Sequence, residues 1–72
     1  MTVGKKVKLA RIAADMTQAE LAEKAGCTRQ TIGLIEADRF NPSLKLCTAI
    51  AKVVGKTLND VFWIEEIDQD HG

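Results

Sequence analysis

A glycine set between two helix-start signals constrains this chain more than any other feature. In residues 17–36, Thr17 is followed three positions later by Glu20, then by Gly26 and by Thr28. A hydroxyl and a carboxylate at that spacing satisfy the free backbone N–H groups of a starting helix reciprocally. Leu21, Ala22 and Ala25 then recur at helical spacing on one face. Gly26 stands where a helix ends in a left-handed residue, a conformation glycine enters without steric cost. Thr28 caps a second helix. In that helix Ile32, Ile35 and Glu36 share one side, and Gln30, Gly33, Leu34 and Ala37 share the other, at about 100° per residue.

The rest of the chain must fit around this pair. Its 72 residues allow one small domain. A core of that size buries roughly 60% of the unfolded surface, so a partner subunit would add needed stability. No apolar run reaches the length of a membrane span, and the N-terminus lacks a signal-peptide pattern. A cytoplasmic protein is expected. Formal net charge is zero, but the distribution is uneven. Residues 1–63 hold all ten Lys and Arg against six acids, a net +4. Residues 64–72 hold Glu65, Glu66, Asp68 and Asp70 and no Lys or Arg, a net −4. A basic body with an acidic tail attracts phosphates through its local field despite the neutral total.

Cys27 and Cys47 have neither metal-site nor CxxC spacing. They are read as reduced, buried core residues, with a redox switch as the sharper alternative. His71 reads as a solvated tail residue. No metal site and no cofactor are expected.

In chain order, residues 1–4 read as a short arm and 5–14 as a first helix, with Leu9, Ile12, Ala13 and Met16 as its inner stripe. The second helix covers 18–25 and the third 29–37. Asp38 to Ser43 form a polar loop in which Phe40 is expected to plug the core. Pro42 holds Asn41 extended, and Ser43 caps a fourth helix over 44–54. Cys47, Ile50, Ala51 and Val54 share its apolar stripe, and Gly55 ends it. Thr57 and Asp60 repeat the hydroxyl–carboxylate signature at a short fifth helix. The expected fold is all-α and five-helical, with a domain over 1–63 and an acidic tail over 64–72. Phe62, Trp63 and Ile64 close the structured part, and one small domain has little room to bury them all. They are read as a dimer contact, with a short C-terminal strand as one form it can take; the alternative is that they cover the base of the helices within the same chain.

Two short helices, a glycine turn and a polar outer face make a helix-turn-helix, a motif whose second helix enters the DNA major groove. Gln18 lies at the N-terminal end of its helix, where N–H groups and the helix dipole favour a phosphate. Arg29 and Gln30 open the third helix facing outward, as residue types that bond guanine and adenine edges bidentately. Gly33 leaves the outer face bare for close approach, and Leu34 either meets a thymine methyl there or is a partly buried edge residue. Thr31 reads as a base or phosphate contact or as a surface filler. Arg39 and Asn41 lie in the loop within reach of phosphates.

The run TQAELAEKAGCTRQTIGLIEADRFNPSLKLCTAIAKVVGKTLNDVF, residues 17–62, resembles the phage-repressor and Cro-like helix-turn-helix family, often called the XRE family. The likeness is to its short single-domain bacterial members. It implies that Gln18 binds phosphate and supports the recognition helix, and that Thr28, Arg29 and Gln30 touch backbone and base edges. Gly33 and Leu34 match groove-facing positions that are often polar in the family, a departure that leaves open what this half of the helix reads. Arg39 and Asn41 match loop positions near the phosphates. Arg11 and Glu36 match an arginine–glutamate pair that ties the first helix to the third. The family further implies homodimers on inverted repeats, with recognition helices about 34 Å apart.

The expected function is a sequence-specific transcriptional regulator, a repressor that binds double-stranded DNA as a homodimer and occludes polymerase. The rival class is an antitoxin-like interaction module that neutralises a partner protein through the acidic tail and the Trp63 region. An enzyme is not expected: the chain shows no nucleophile–base pair, no clustered carboxylates and no phosphate-cradling glycine loop.

Overall fold

A computed structural model of the chain describes residues 2–62. Among these residues there are five helices and no strand: α1 Val3–Ala13, α2 Gln18–Ala25, α3 Arg29–Glu36, α4 Leu44–Val54 and α5 Leu58–Val61. The expected all-α, five-helix architecture is present. The tail, Trp63, Ile64 and the segment considered for a strand lie outside the described residues.

Every helix begins in the same way. The hydroxyls of Thr2, Thr17, Thr28, Ser43 and Thr57 each accept the N–H three residues on. Each such cap stabilises its helix by about 1 kcal/mol. The boxes Thr17–Glu20 and Thr57–Asp60 are both closed by the returning carboxylate. The first four helices also stop alike, on a left-handed residue: Asp15 (φ 62°), Gly26 (82°), Asp38 (61°) and Gly55 (75°). At Asp38 the paired bonds Asp38 N to Ile35 O (3.0 Å) and Arg39 N to Leu34 O (2.8 Å) close the last turn of α3. These satisfy carbonyls that a helix end otherwise leaves orphaned.

The core gathers Val7 of α1, Leu21 and Ala22 of α2, Ile32 and Ile35 of α3, and Cys47, Ile50 and Val54 of α4, with Val61 and Phe62 beneath. α3 packs against both α1 and α2, which hold its inward side on two supports. Cys47 is buried as expected, Cys27 is half-buried against the core, and both are free thiols.

Four expectations are corrected. Residues 2–4 are not an arm: Thr2 caps α1, and Val3 and Gly4 form its first turn. The inward stripe of α1 is not Leu9–Ile12–Ala13 but Gly4 and Val7, with Arg11 and Ala14 below them; Leu9 and Ile12 are 47% and 53% exposed. Small residues face α3 because the two helices approach closely. A β-carbon at Gly4 would lie 2.5 Å from the Glu36 carbonyl oxygen and 2.6 Å from that of Ile35. Phe40 does not plug the core but stands 45% exposed in the loop, where Pro42 and Asn41 hold it beside Val3 over a surface depression. Phe62 is only 5% exposed and belongs to the core of its own chain. Its ring therefore does not present the outward face that a dimer contact requires.

Candidate nucleic-acid interface

α3 is short, eight residues, and its two sides are treated very differently. Ile32 and Ile35 are buried, whereas Arg29, Gln30 and Leu34 are exposed. Thr28 caps the helix from an exposed position. Its Oγ1 accepts the Thr31 N–H at 3.1 Å and lies 3.0 Å from the Thr31 hydroxyl. Thr31 is half-buried, and its hydroxyl is engaged with the cap. No acidic side chain occupies the first turn of α3, so Arg29 stands where the helix dipole already favours anions.

The inward side is fastened by one carboxylate. Glu36 Oε2 accepts Arg11 Nε at 2.7 Å, and Glu36 Oε1 accepts Arg11 Nη2 at 3.3 Å and Gln18 Nε2 at 3.0 Å. Arg11 Nη1 also donates to the Met16 carbonyl at 2.7 Å. The Arg11 and Glu36 side chains are only 12% and 5% exposed. A two-pronged guanidinium–carboxylate contact fixes orientation as well as distance. One residue of α3 is thus bonded to α1 and, through Gln18, to the first residue of α2.

Gln18 therefore sits differently from a solvated amide at a helix end. One of its two N–H bonds goes to Glu36, which leaves the second N–H and the carbonyl oxygen for a ligand. It also lies against α3: a β-carbon at Gly33 would be 3.9 Å from its Nε2 and 4.0 Å from its Oε1. The bare backbone at Gly33 leaves the Gln18 amide open toward the outer side of α3. The sequence singled out both residues but gave no sign of their adjacency.

Arg39 and Asn41 are exposed in the loop that leaves α3. Asp38, which sequence reasoning passed over, connects that loop to α1. It turns the chain out of α3 in the left-handed region, and its Oδ1 accepts the Gly4 N–H at 2.9 Å. A short aspartate before a polar loop was the available signal, since Asp tolerates this conformation better than most residues.

Gln18, Thr28, Arg29, Gln30, Gly33 and Leu34 all lie on α3 or on the start of α2, the element packed directly on it. Arg39 and Asn41 follow at the C-terminal end of α3. Trp63 and Ile64 lie outside the described residues. Among the described residues, no group of three or more His, Cys, Asp or Glu is placed to hold a metal ion. No helix among them is long and apolar enough to cross a membrane.

Comparison with known proteins gives a consistent result. The helix-turn-helix family model matches residues 7–61. An HTH-type transcriptional regulator of Methanocaldococcus jannaschii is 44% identical over 61 residues, covering 85% of this chain and 92% of the relative. The regulator YgzD of Bacillus subtilis is 43% identical over 61 residues, with the same coverage. The immunity repressor protein of Bacillus phage phi105 is 46% identical over 55 residues, 76% of this chain but 38% of that larger protein. Among solved structures, the hypothetical transcription factor NHTF from Neisseria superposes with a TM-score of 0.79 over 97% of this chain and 80% of its own. At 20% identity that likeness speaks to the fold alone.

Proposed function

This chain belongs to the helix-turn-helix family of DNA-binding transcriptional regulators, and on that premise we propose that it is a repressor which binds an inverted-repeat operator as a homodimer. One observation supports this most: α3 is bonded and buried along its inner side while its outer row, Arg29, Gln30 and Leu34, is exposed beside the amide of Gln18. A helix so fastened enters a major groove as a rigid body. Arg29 and Gln30 then face base edges, and Leu34 supplies an apolar contact to a thymine methyl. Gln18, Thr28, Arg39 and Asn41 hold phosphates, which sets register and makes affinity fall steeply with salt. The immunity repressor of phage phi105 is a relative that carries the word repressor in its name. By analogy, a bound dimer here occludes polymerase.

The test is selection of bound sequences from a random duplex pool near physiological salt. The expected outcome is an enriched inverted repeat with half-sites one helical turn apart. Arg29→Ala is expected to relax preference at one position per half-site at a cost of about 1–3 kcal/mol. Equal weakening on all sequences would make Arg29 a phosphate contact. A pool with no enrichment would sink the regulator reading and leave recognition of a partner protein as the function to pursue.

A further inference from the structure

Of the glycines among the described residues, all but one answer to the fold. Gly26 and Gly55 end α2 and α4 in the left-handed region, at φ 82° and 75°. Gly4 sits where α1 meets the end of α3, with no room for a β-carbon. Gly33 meets neither demand. It lies inside α3 and its φ is not positive. Beyond its own helix backbone and its two chain neighbours, a β-carbon there would meet only Gln18 Nε2 at 3.9 Å and Oε1 at 4.0 Å, which is ordinary contact. Glycine also weakens a helix interior, because it gives up the most backbone freedom on folding. The fold would accept alanine at this position and gain by it.

Resting on the operator reading above, we propose that Gly33 is a specificity-determining residue. The edge of a base pair occupies the space of its missing side chain, and residue 33 thereby sets how deep α3 enters the groove.

Helix geometry puts that space among the base readers. Gly33 projects between Arg29 and Gln30, about 40° from the first and about 60° from the second. A helical side chain leans toward the N-terminus and covers the turn before its own Cα. A side chain at 33 would therefore lie over the turn that carries Arg29 and Gln30. With none there, α3 offers bare backbone, bordered by those two residues and by the Gln18 amide. Backbone approaches a ligand closely where no β-carbon stands in the way.

The helix has no freedom to make room for an added side chain. Ile32 and Ile35 are buried, and Glu36 holds Arg11 and Gln18. The whole domain must withdraw instead. Withdrawal breaks the base-edge bonds of Arg29 and Gln30 first, since these require close, aligned geometry. Attraction of the basic body to phosphates is longer in range and survives it. The cost of a side chain at 33 thus falls on the operator and not on DNA in general.

The experiment compares the wild-type chain with Gly33→Ala and Gly33→Leu. Each is titrated across a salt series against the duplex selected from the random pool and against a scrambled duplex of equal length, with urea unfolding alongside. Gly33→Ala is expected to be at least as stable as wild type yet to bind the selected duplex at least about tenfold more weakly, the scale of losing one base contact. Gly33→Leu is expected to lose more. Binding to the scrambled duplex and its salt dependence are expected to stay unchanged. Equal binding of the selected duplex by wild type and both variants would overturn the inference and leave the operator reading standing. Equal losses on both duplexes would place Gly33 against the sugar–phosphate strand and overturn it too. So would a loss of binding that follows a loss of stability, which would return Gly33 to the fold. A wild-type chain that selects no sequence would overturn the operator reading itself, and the inference with it.

Discussion

Replacing Gly4 by alanine tests the closest approach in the fold. The added β-carbon would stand 2.5 Å from the Glu36 carbonyl oxygen, 2.6 Å from that of Ile35 and 2.8 Å from Asp38 Oδ1. Two of these three atoms are backbone, at the end of α3. Restoring ordinary contact requires α1 to withdraw by roughly 1 Å, since overpacked sites relax only through such backbone shifts. The same withdrawal stretches the Gly4 N–H bond to Asp38, now 2.9 Å, and the Arg11–Glu36 contact, now 2.7 Å. Overpacking of this kind costs about 1–3 kcal/mol, and a weakened hydrogen bond adds about 1. Alanine's better helix propensity returns at most about 1 kcal/mol. The expected net loss is about 2 kcal/mol, which in a domain of this size lowers Tm by about 8–16 °C. Circular dichroism melts and urea titration measure it. Gly33→Ala is the control, because its β-carbon would meet the Gln18 amide only at 3.9 Å and 4.0 Å; it is expected to leave Tm unchanged or raised. A Gly4→Ala protein as stable as wild type would show that α1 and α3 do not need this contact, and the account of their packing would fail.

Arg11→Met and Glu36→Gln are each expected to cost about 3 kcal/mol, because each strands a nearly buried partner. The double variant Arg11→Met/Glu36→Gln should cost less than the two losses added, and additive losses in this double-mutant cycle would refute the coupling. The Glu20 and Asp60 carboxylates are held below their usual range, because each accepts the N–H of its own cap residue, Thr17 or Thr57, and bonds that threonine's side chain. A depressed folded value contributes stability above the unfolded pKa and loses it as pH falls through the folded one. Glu20→Gln should therefore flatten the decline of stability below about pH 4, and an unchanged acid limb would contradict the capping role. Burial pushes the Cys27 and Cys47 thiols up, so little thiolate exists near neutral pH. Both should react slowly with a disulfide reagent, half-buried Cys27 before Cys47; fast reaction at neutral pH would revive the redox switch.

Local grammar made most of this architecture legible. Thr17, Thr28, Ser43 and Thr57 announced their helices, and Gly26 and Gly55 announced two ends, because capping is decided within four residues. The other two ends rest on Asp15 and Asp38, and an aspartate in the left-handed region has no spacing that singles it out. α1 was misread for a different reason. Leu9 and Ile12 read as inward because they are apolar, but the inward side is set by how near α3 comes, and at Gly4 even a β-carbon would stand 2.5 Å from the Glu36 carbonyl oxygen. That constraint comes from residues 35, 36 and 38, more than thirty positions away. The site shows the same division. Arg29, Gln30 and Leu34 were readable from helical phase, whereas the placement of Gln18 over Gly33 depends on how α2 meets α3. Phe40 was misplaced because an aromatic in a loop gives no sign of which way the loop carries it.

The three bonds to Glu36 separate the duties of α3 by side. The inward side of α3 is fastened through Ile32, Ile35 and Glu36, and its ends through Thr28 and Asp38, while the Arg29, Gln30 and Leu34 side chains carry none of these bonds. On the reading proposed above, this outer row therefore resembles a removable key blade on a fixed bow. A different set of side chains at 29 and 30 can be cut into the same helix with little new packing to solve, whereas Leu34 is only 38% exposed. If the outer row reads the operator as proposed, a few substitutions there would give a new target site while the fold stays as it is.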